Sequence, residues 1–379
     1  MATANDRQTR DTALDDYFRD GEKRARNLAN RGPIRLTAQG KLVPEILDSY
    51  KEHGFYILEH VFDDAELAEI KAEFEGIVDH LPTSPDSPID RHGRPALGLG
   101  LAPSPFHWSK PLGDPFGGAG GMERSPVKMN EGTPAAEHPR EVVFIIRGPL
   151  QFSDAVLRAY GHPGLLAVVE AINGDDFVPF SEGFVVKQPG AGAAFAWHQD
   201  GMTHWDHPEW DPQIHGFNFM IQLYGSTAAN GVWFVPGSHR RGKLDIHDLV
   251  HAAGGNLLPD AVPFVCNAGD VAISNRQILH GSFANTSTDL RVSLNFGFHR
   301  RSAIIGAKGK GLQTEIAYDA EFVRKRSEMI GYAIDARRQY YPDQPHYDYQ
   351  PHARNHETHR WSEAVRPGID AYYTRDLNI

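Results

Sequence analysis

Cysteine is almost missing from this chain of 379 residues, where Cys266 stands alone. No intrachain disulfide can form and no cysteine-based zinc site can be built. Within the β-rich run Val262-Pro263-Phe264-Val265-Cys266 it reads as a small core residue. Long apolar runs are missing too. None approaches the ~20 residues of a membrane-spanning helix, and the polar first ten residues lack the apolar centre of a secretory signal. The expectation is a cytoplasmic protein without membrane contact. Nor is there a long Lys/Arg block: 38 basic side chains face 49 acidic ones, a net charge of -11, which speaks against nucleic acid as the main partner. Short basic clusters (Arg240-Arg241-Gly242-Lys243, Arg300-Arg301, Lys308-Gly309-Lys310) read as solvated surface or as contacts for an anionic substrate tail. A small-molecule substrate is the expected partner, and a homodimer is left open.

What is present is organised in three parts. Residues 1–41 form a charged arm or short helix. Helical spacing follows at Leu42, Ile46, Leu47 and Tyr50, then the strand candidate Gly54-Phe55-Tyr56-Ile57-Leu58. Asp63 with Glu66 makes a capping-box pattern ahead of a helix striped by Leu67, Ile70, Phe74 and Ile77. From 81 to 140 Pro and Gly become dense, and an insert of that length is expected to be functional, as a lid or pocket wall. A helix over 151–172 is broken at Gly161-His162-Pro163-Gly164. Strands are predicted at 183–187, 195–199, 216–224, 231–236, 262–267, 271–274 and 290–298. Many short strands with Gly/Pro turns point to a sandwich or barrel rather than to βαβ units. After residue 301 the chain returns to helix at 319–340 and ends in an irregular His-, Tyr- and Pro-rich segment, wrapping the barrel or meeting a second subunit. His352, His356 and His359 lie there, but no strand or capped helix is predicted to hold them, and they are not assigned to a metal.

Three His-x-Asp triplets occur: His198-Gln199-Asp200, His204-Trp205-Asp206 and His346-Tyr347-Asp348. Only the first follows a β-rich run and a Gly/Pro turn. Residues two apart on an extended strand point to the same face, so His198 and Asp200 supply two thirds of a 2-His-1-carboxylate metal site, which leaves open coordination positions. The best third ligand is His280, at the end of a strand that opens after the turn Ala268-Gly269-Asp270. Eleven residues on, Arg291, Ser293 and Asn295 share one face of a strand. An inward arginine needs an anion. Either a carboxylate of the chain or a ligand supplies it, with Ser293 as a possible added donor. In Phe217-Asn218-Phe219-Met220-Ile221-Gln222-Leu223, the side chains Asn218, Met220 and Gln222 share a face suited to a ligand-holding interior.

These motifs, with Asn230-Gly231-Val232-Trp233-Phe234-Val235-Pro236-Gly237-Ser238-His239 and Tyr50-Lys51-Glu52-His53-Gly54-Phe55-Tyr56-Ile57-Leu58, closely resemble the phytanoyl-CoA dioxygenase family of iron(II)- and 2-oxoglutarate-dependent oxygenases, over residues 42–301. The resemblance implies an all-β core with flanking helices, a double-stranded β-helix of jelly-roll (cupin-like) type. It implies His198, Asp200 and His280 as iron ligands and Arg291 as the partner of the distal carboxylate of 2-oxoglutarate. It suggests Trp205 and Lys128 as further cofactor contacts. His239 belongs to a structural turn in that family. The implied reaction couples O₂ and oxidative decarboxylation of 2-oxoglutarate, to succinate and CO₂, to oxidation of a substrate C–H bond. A carboxylate at Asp200 favours hydroxylation, desaturation or ring formation over halogenation, which needs that position for a halide. Two other readings use the same residues: a non-catalytic barrel that senses a metal or small molecule, and a zinc hydrolase.

Overall fold

Alternation in the stretch 217–223 separates two environments, and the fold is built on that separation. In the computed structural model, which describes residues 4–118, 125–200, 216–310, 315–370 and 372–375, Phe219, Ile221 and Leu223 join one large apolar core. Met220, one residue out of phase, joins another with Phe55, Ile57, Phe234, Phe264 and Ala272. The first core lies under the helices and the second between two sheets.

In chain order, α1 (Ala4–Arg26), β1 (Arg31–Pro33), α2 (Pro44–His53), β2 (Phe55–Glu59) and α3 (Asp64–Asp79) precede β3 (Phe106–Ser109) and β4 (Val142–Arg147). Then come α4 (Asp154–Tyr160), α5 (Pro163–Asn173), β5 (Val178–Lys187), β6 (Phe195–His198), β7 (Phe217–Gln222), β8 (Trp233–Phe234), α6 (Ile246–Ala252), β9 (Val262–Pro263), β10 (Val271–Asn275), β11 (His280–Ser282) and β12 (Arg291–His299). The chain closes with α7 (Arg301–Ile304), the hairpin β13 (Lys308–Lys310) and β14 (Glu315–Ala317), α8 (Ala320–Tyr340) and α9 (Gln350–Arg354). The larger sheet runs β1-β2-β10-β7-β12-β5-β4-β3 and the smaller β6-β11-β8-β9. This is the expected jelly-roll core with helices outside it.

The capping residue Asp63 accepts from Glu66 N at 2.9 Å, as the sequence pattern requires. Glu66 does not reciprocate. Its carboxylate instead takes a two-pronged pair from Arg337 of α8, at 2.6 and 3.2 Å, tying α3 to the C-terminal part. The N-terminal 41 residues depart from the expected arm or short helix. α1 is 23 residues long and packs on the smaller sheet. Tyr17 stacks on Trp233 at 4.6 Å and donates to Leu258 O at 2.8 Å. Gly21 permits that approach, because a Cβ there would stand 2.3 Å from the Trp233 ring. Three strands of the larger sheet were not anticipated: β1 lies in the N-terminal part, β3 inside the Pro/Gly-rich insert, and β4 directly follows that insert.

The break predicted at Gly161-His162-Pro163-Gly164 separates α4 from α5, and His162 caps α5: its Nδ1 accepts from Leu165 N at 3.2 Å. Burial, and secondarily the Arg337 charge, push its pKa down from 6.5 to about 3. The folded protein therefore holds a neutral imidazole that the unfolded chain would protonate. Its contribution is present above pH ~6.5 and is lost as pH falls towards 3, with a slope of at most about 1.4 kcal/mol per unit. His162→Asn keeps a capping oxygen and removes the titration. Urea midpoints between pH 7 and 4 should fall more steeply in the wild type than in this variant, and parallel curves would contradict the assignment.

Candidate metal and anion site

β11 lies between β6 and β8, and its register on β6 sets His280 directly opposite His198. Cross-strand partners present their side chains on one face, and the two imidazoles stand 4.1 Å apart between ring centroids. Each ring is turned by its own strand. Nδ1 of His198 meets Ala196 O at 2.6 Å, and Nδ1 of His280 meets Ile278 O at 2.9 Å. A carbonyl can only accept, so both rings carry their proton on Nδ1 and present the Nε2 lone pair.

Asp200 follows β6 and is held by its backbone N–H, which donates to Arg276 O at 2.8 Å. Its Oδ1 stands 3.7 Å from His198 Nε2. On its other side Oδ2 accepts from Asn218 Nδ2 at 3.3 Å and faces Arg276 Nε at 3.7 Å. The three ligand atoms lie within 4.8 Å of one another. Two neutral imidazoles and one carboxylate, each oriented from behind, fit a divalent transition metal with open positions. The donor set therefore suits iron.

The same cavity, about 160 Å³, reaches Arg291 at the start of β12. That guanidinium is 1% exposed, and its Nε donates to Gln222 Oε1 at 3.1 Å. Among the described residues no carboxylate pairs with it. Burial pushes its pKa down to about 10, so it remains charged at neutral pH. Across the register from it sits Lys187 on β5, fully buried and donating to Phe283 O. Burial, then the Arg291 charge, push that ammonium well below its usual range, against the opposing pull of Asp114. A buried guanidinium with no carboxylate beside it among the described residues, next to a lysine that burial disfavours as a charge, favours an anion at this end of the cavity.

Ser293 lies in the wall rather than at the cavity. Its hydroxyl donates to Asn295 Oδ1 at 2.5 Å and accepts from Gln222 Nε2 at 3.1 Å. The expected role as a ligand donor gives way to one behind Gln222, because its only proton is already used. Lys128 departs further. It is half-exposed and pairs with Glu131 at 3.0 Å, so its ammonium stays at the surface, solvated and neutralised, away from the cavity. Trp205 lies outside the described residues. His239 keeps its structural place, with Nε2 on Lys51 O at 3.0 Å. The insert 81–140 contributes Phe116 and Ser125 to the cavity wall. Sequence reasoning passed over Arg276 and placed Asn218 only on an inward face; the signal for Asn218 was the two-residue alternation of β7, while Arg276 gave none.

A β-barrel carrying two imidazoles and a carboxylate around one point, with a buried guanidinium beyond them, defines a class of metal-binding jelly rolls. The family model described as phytanoyl-CoA dioxygenase (PhyH) matches residues 50–293, more than half of the chain, and the chain belongs to that family. It is 30% identical over 121 residues to phytanoyl-CoA dioxygenase 1 of Oryza sativa subsp. japonica, across 30% of this chain and 41% of that protein, so less than half of the rice protein's length is matched. It is 26% identical over 202 residues to L-proline trans-4-hydroxylase of Streptomyces griseoviridis, across 47% of this chain and 72% of that one. EctD from S. alaskensis, crystallised with 2-oxoglutarate and 5-hydroxyectoine, shares the fold with a TM-score of 0.50 at 16% identity, over 76% of this chain and 85% of that one. No helix among the described residues is long and apolar enough to cross a membrane.

Proposed function

We propose that this chain is an iron(II)- and 2-oxoglutarate-dependent oxygenase that oxidises a C–H bond of a small molecule, by hydroxylation, desaturation or ring closure. The observation that carries the reading is the combination of one metal-type donor trio and one buried guanidinium in a single cavity. His198, Asp200 and His280 would hold the iron, and Arg291 would take the distal carboxylate of 2-oxoglutarate. When bound, the iron and its 2-oxoacid supply O₂ activation, releasing succinate and CO₂.

The chain's own part is positional. The carbonyls of Ala196 and Ile278 fix the imidazole tautomers, while Asn218 and Arg276 hold Asp200 with one oxygen turned inward. Gln222 aims the Arg291 fork, and Ser293 aims Gln222. A carboxylate at Asp200 occupies the position that a halogenation reaction would need for halide. The wall is mixed, with Phe116, Phe195, Ile145 and Val185 beside Arg147 and Glu182. A partly apolar metabolite of moderate size with a polar end suits it better than a polymer. We take residues 42–301 as the catalytic unit, with the insert as cavity wall and the helical ends packed upon it.

The test is succinate release. Anaerobically purified protein loaded with Fe(II), given 2-oxoglutarate and O₂, should release succinate, with the rate raised by the right member of a metabolite panel. A protein that binds 2-oxoglutarate yet never converts it would instead be a sensor. Hydrolysis supported by zinc alone would point to the hydrolase.

A further inference from the structure

Beyond the family match, in the segment expected to be irregular, the structure assembles a second trio: His352, Glu357 and His359. His352 sits in α9, which is capped at its C-terminus by Asn355. The next residue, His356, takes a φ of 54°, a left-handed value that side chains with a Cβ rarely adopt. The reversal brings Glu357 N back onto His352 O at 3.0 Å. Two residues on, His359 lies against α8 at Gly331, where a Cβ would stand 2.6 Å from the imidazole. Glycine inside a helix costs about 1 kcal/mol relative to alanine, and here it makes the space for that ring. Tyr349 packs edge-on to His352 at 4.8 Å, and Tyr332 does the same to His359 at 5.4 Å.

The outcome resembles the barrel site closely. The two ring centroids are 4.1 Å apart with planes at 47°, against 4.1 Å and 46° for His198 and His280. Glu357 Oε2 stands 3.9 Å from His352 Nε2 and 3.5 Å from His359 Nε2. All three facing atoms are shut off from solvent and lack a hydrogen-bond partner, and His352 itself is 7% exposed. A hydrogen-bonded histidine–carboxylate pair would close to about 2.8 Å. Ligand atoms on a tetrahedron with bonds of about 2.0–2.1 Å stand roughly 3.3–3.4 Å apart, nearer to what is seen. Nitrogen and carboxylate donors together suit zinc-like ions better than calcium or magnesium, which take oxygen.

We propose that His352, Glu357 and His359 form a second divalent-metal site, for zinc, that clips the C-terminal segment to α8. Glu357, about a quarter exposed, leaves one side for a water as fourth ligand. The site is apart from the barrel cavity and independent of the reaction assigned there.

The experiment uses the full chain with the barrel ligands removed (Asp200→Ala with His280→Ala), stripped by chelator and checked for fold by circular dichroism. Zinc titration should give one bound equivalent, and cobalt(II) in its place should give the visible absorption of a four-coordinate site. Adding Glu357→Gln, near-isosteric and uncharged, should weaken zinc binding at least tenfold. Adding His359→Asn should do the same, and zinc should slow proteolysis after residue 340 only when the trio is intact. Absence of zinc binding in the barrel-ligand variant would overturn the proposal, as would a bound equivalent that survives both added substitutions.

Discussion

Asp200→Ala is expected to leave a folded protein that no longer retains Fe(II) and releases succinate at least ~1000-fold more slowly, a barrier increase of about 4 kcal/mol. The fold should survive because Asp200 lies beyond the end of β6, and neither of the two cores described above includes it. The metal should not survive, because two imidazoles alone make a weak site, and the positive Arg276, 3.7 Å from the carboxylate that is lost, would still face the cation position. His280→Ala should behave alike through loss of the cross-strand partner of His198. Iron content after gel filtration and single-turnover succinate yield are the measurements. Wild-type turnover in either variant would remove the proposed trio from consideration.

Arg291→Ala is expected to raise KM for 2-oxoglutarate by about 100-fold, on the order of 3 kcal/mol, the loss of a charge-assisted pair in a buried setting. KM for the oxidised substrate should change little. A sharper form varies the ligand as well. The wild type should strongly prefer 2-oxoglutarate over a 2-oxoacid without the distal carboxylate, whereas Arg291→Ala should treat the two nearly alike. Because Arg291 keeps its charge up to about pH 10, the preference should persist through neutrality. An undiminished preference in the variant would mean that the guanidinium serves the fold and not the co-substrate. Gln222→Leu should produce a weaker version of the same change, since it removes only the acceptor that aims the fork.

Much of this architecture was readable before any coordinates, for a definable reason. Alternation in β7 and β12 assigns each side chain to one of two faces, so Asn218, Gln222 and Arg291 were placed inward without knowledge of their neighbours. His198 and Asp200 were readable because they are two apart in sequence. His280 was read as the end of a strand, whereas it opens the separate strand β11 after β10 stops at Asn275, and its register on β6 is a tertiary fact. β3 and β4 were missed because the dense Pro and Gly of the insert hid the start of one and drew attention from the other, although Val142-Val143-Phe144-Ile145-Ile146 is an apolar run. Lys128 was a candidate by residue type alone, and residue type carries no information about depth. The trio at His352, Glu357 and His359 was unreadable for another reason. It depends on a left-handed residue and a helical glycine 28 positions away from the histidine it accommodates, and neither has a sequence pattern.

The two-sided character of β12 has a consequence for how the molecule can change. Val292, Leu294 and Phe296 belong to the layer beneath the helices, while Arg291 and Asn295 open on the cavity. A single-residue slip would send the guanidinium into oil and a valine into the reaction chamber. Chemistry and folding are thus written in odd and even positions of one ribbon. Novel specificity can be explored at alternate places along it, but an insertion or deletion would ruin both at a stroke.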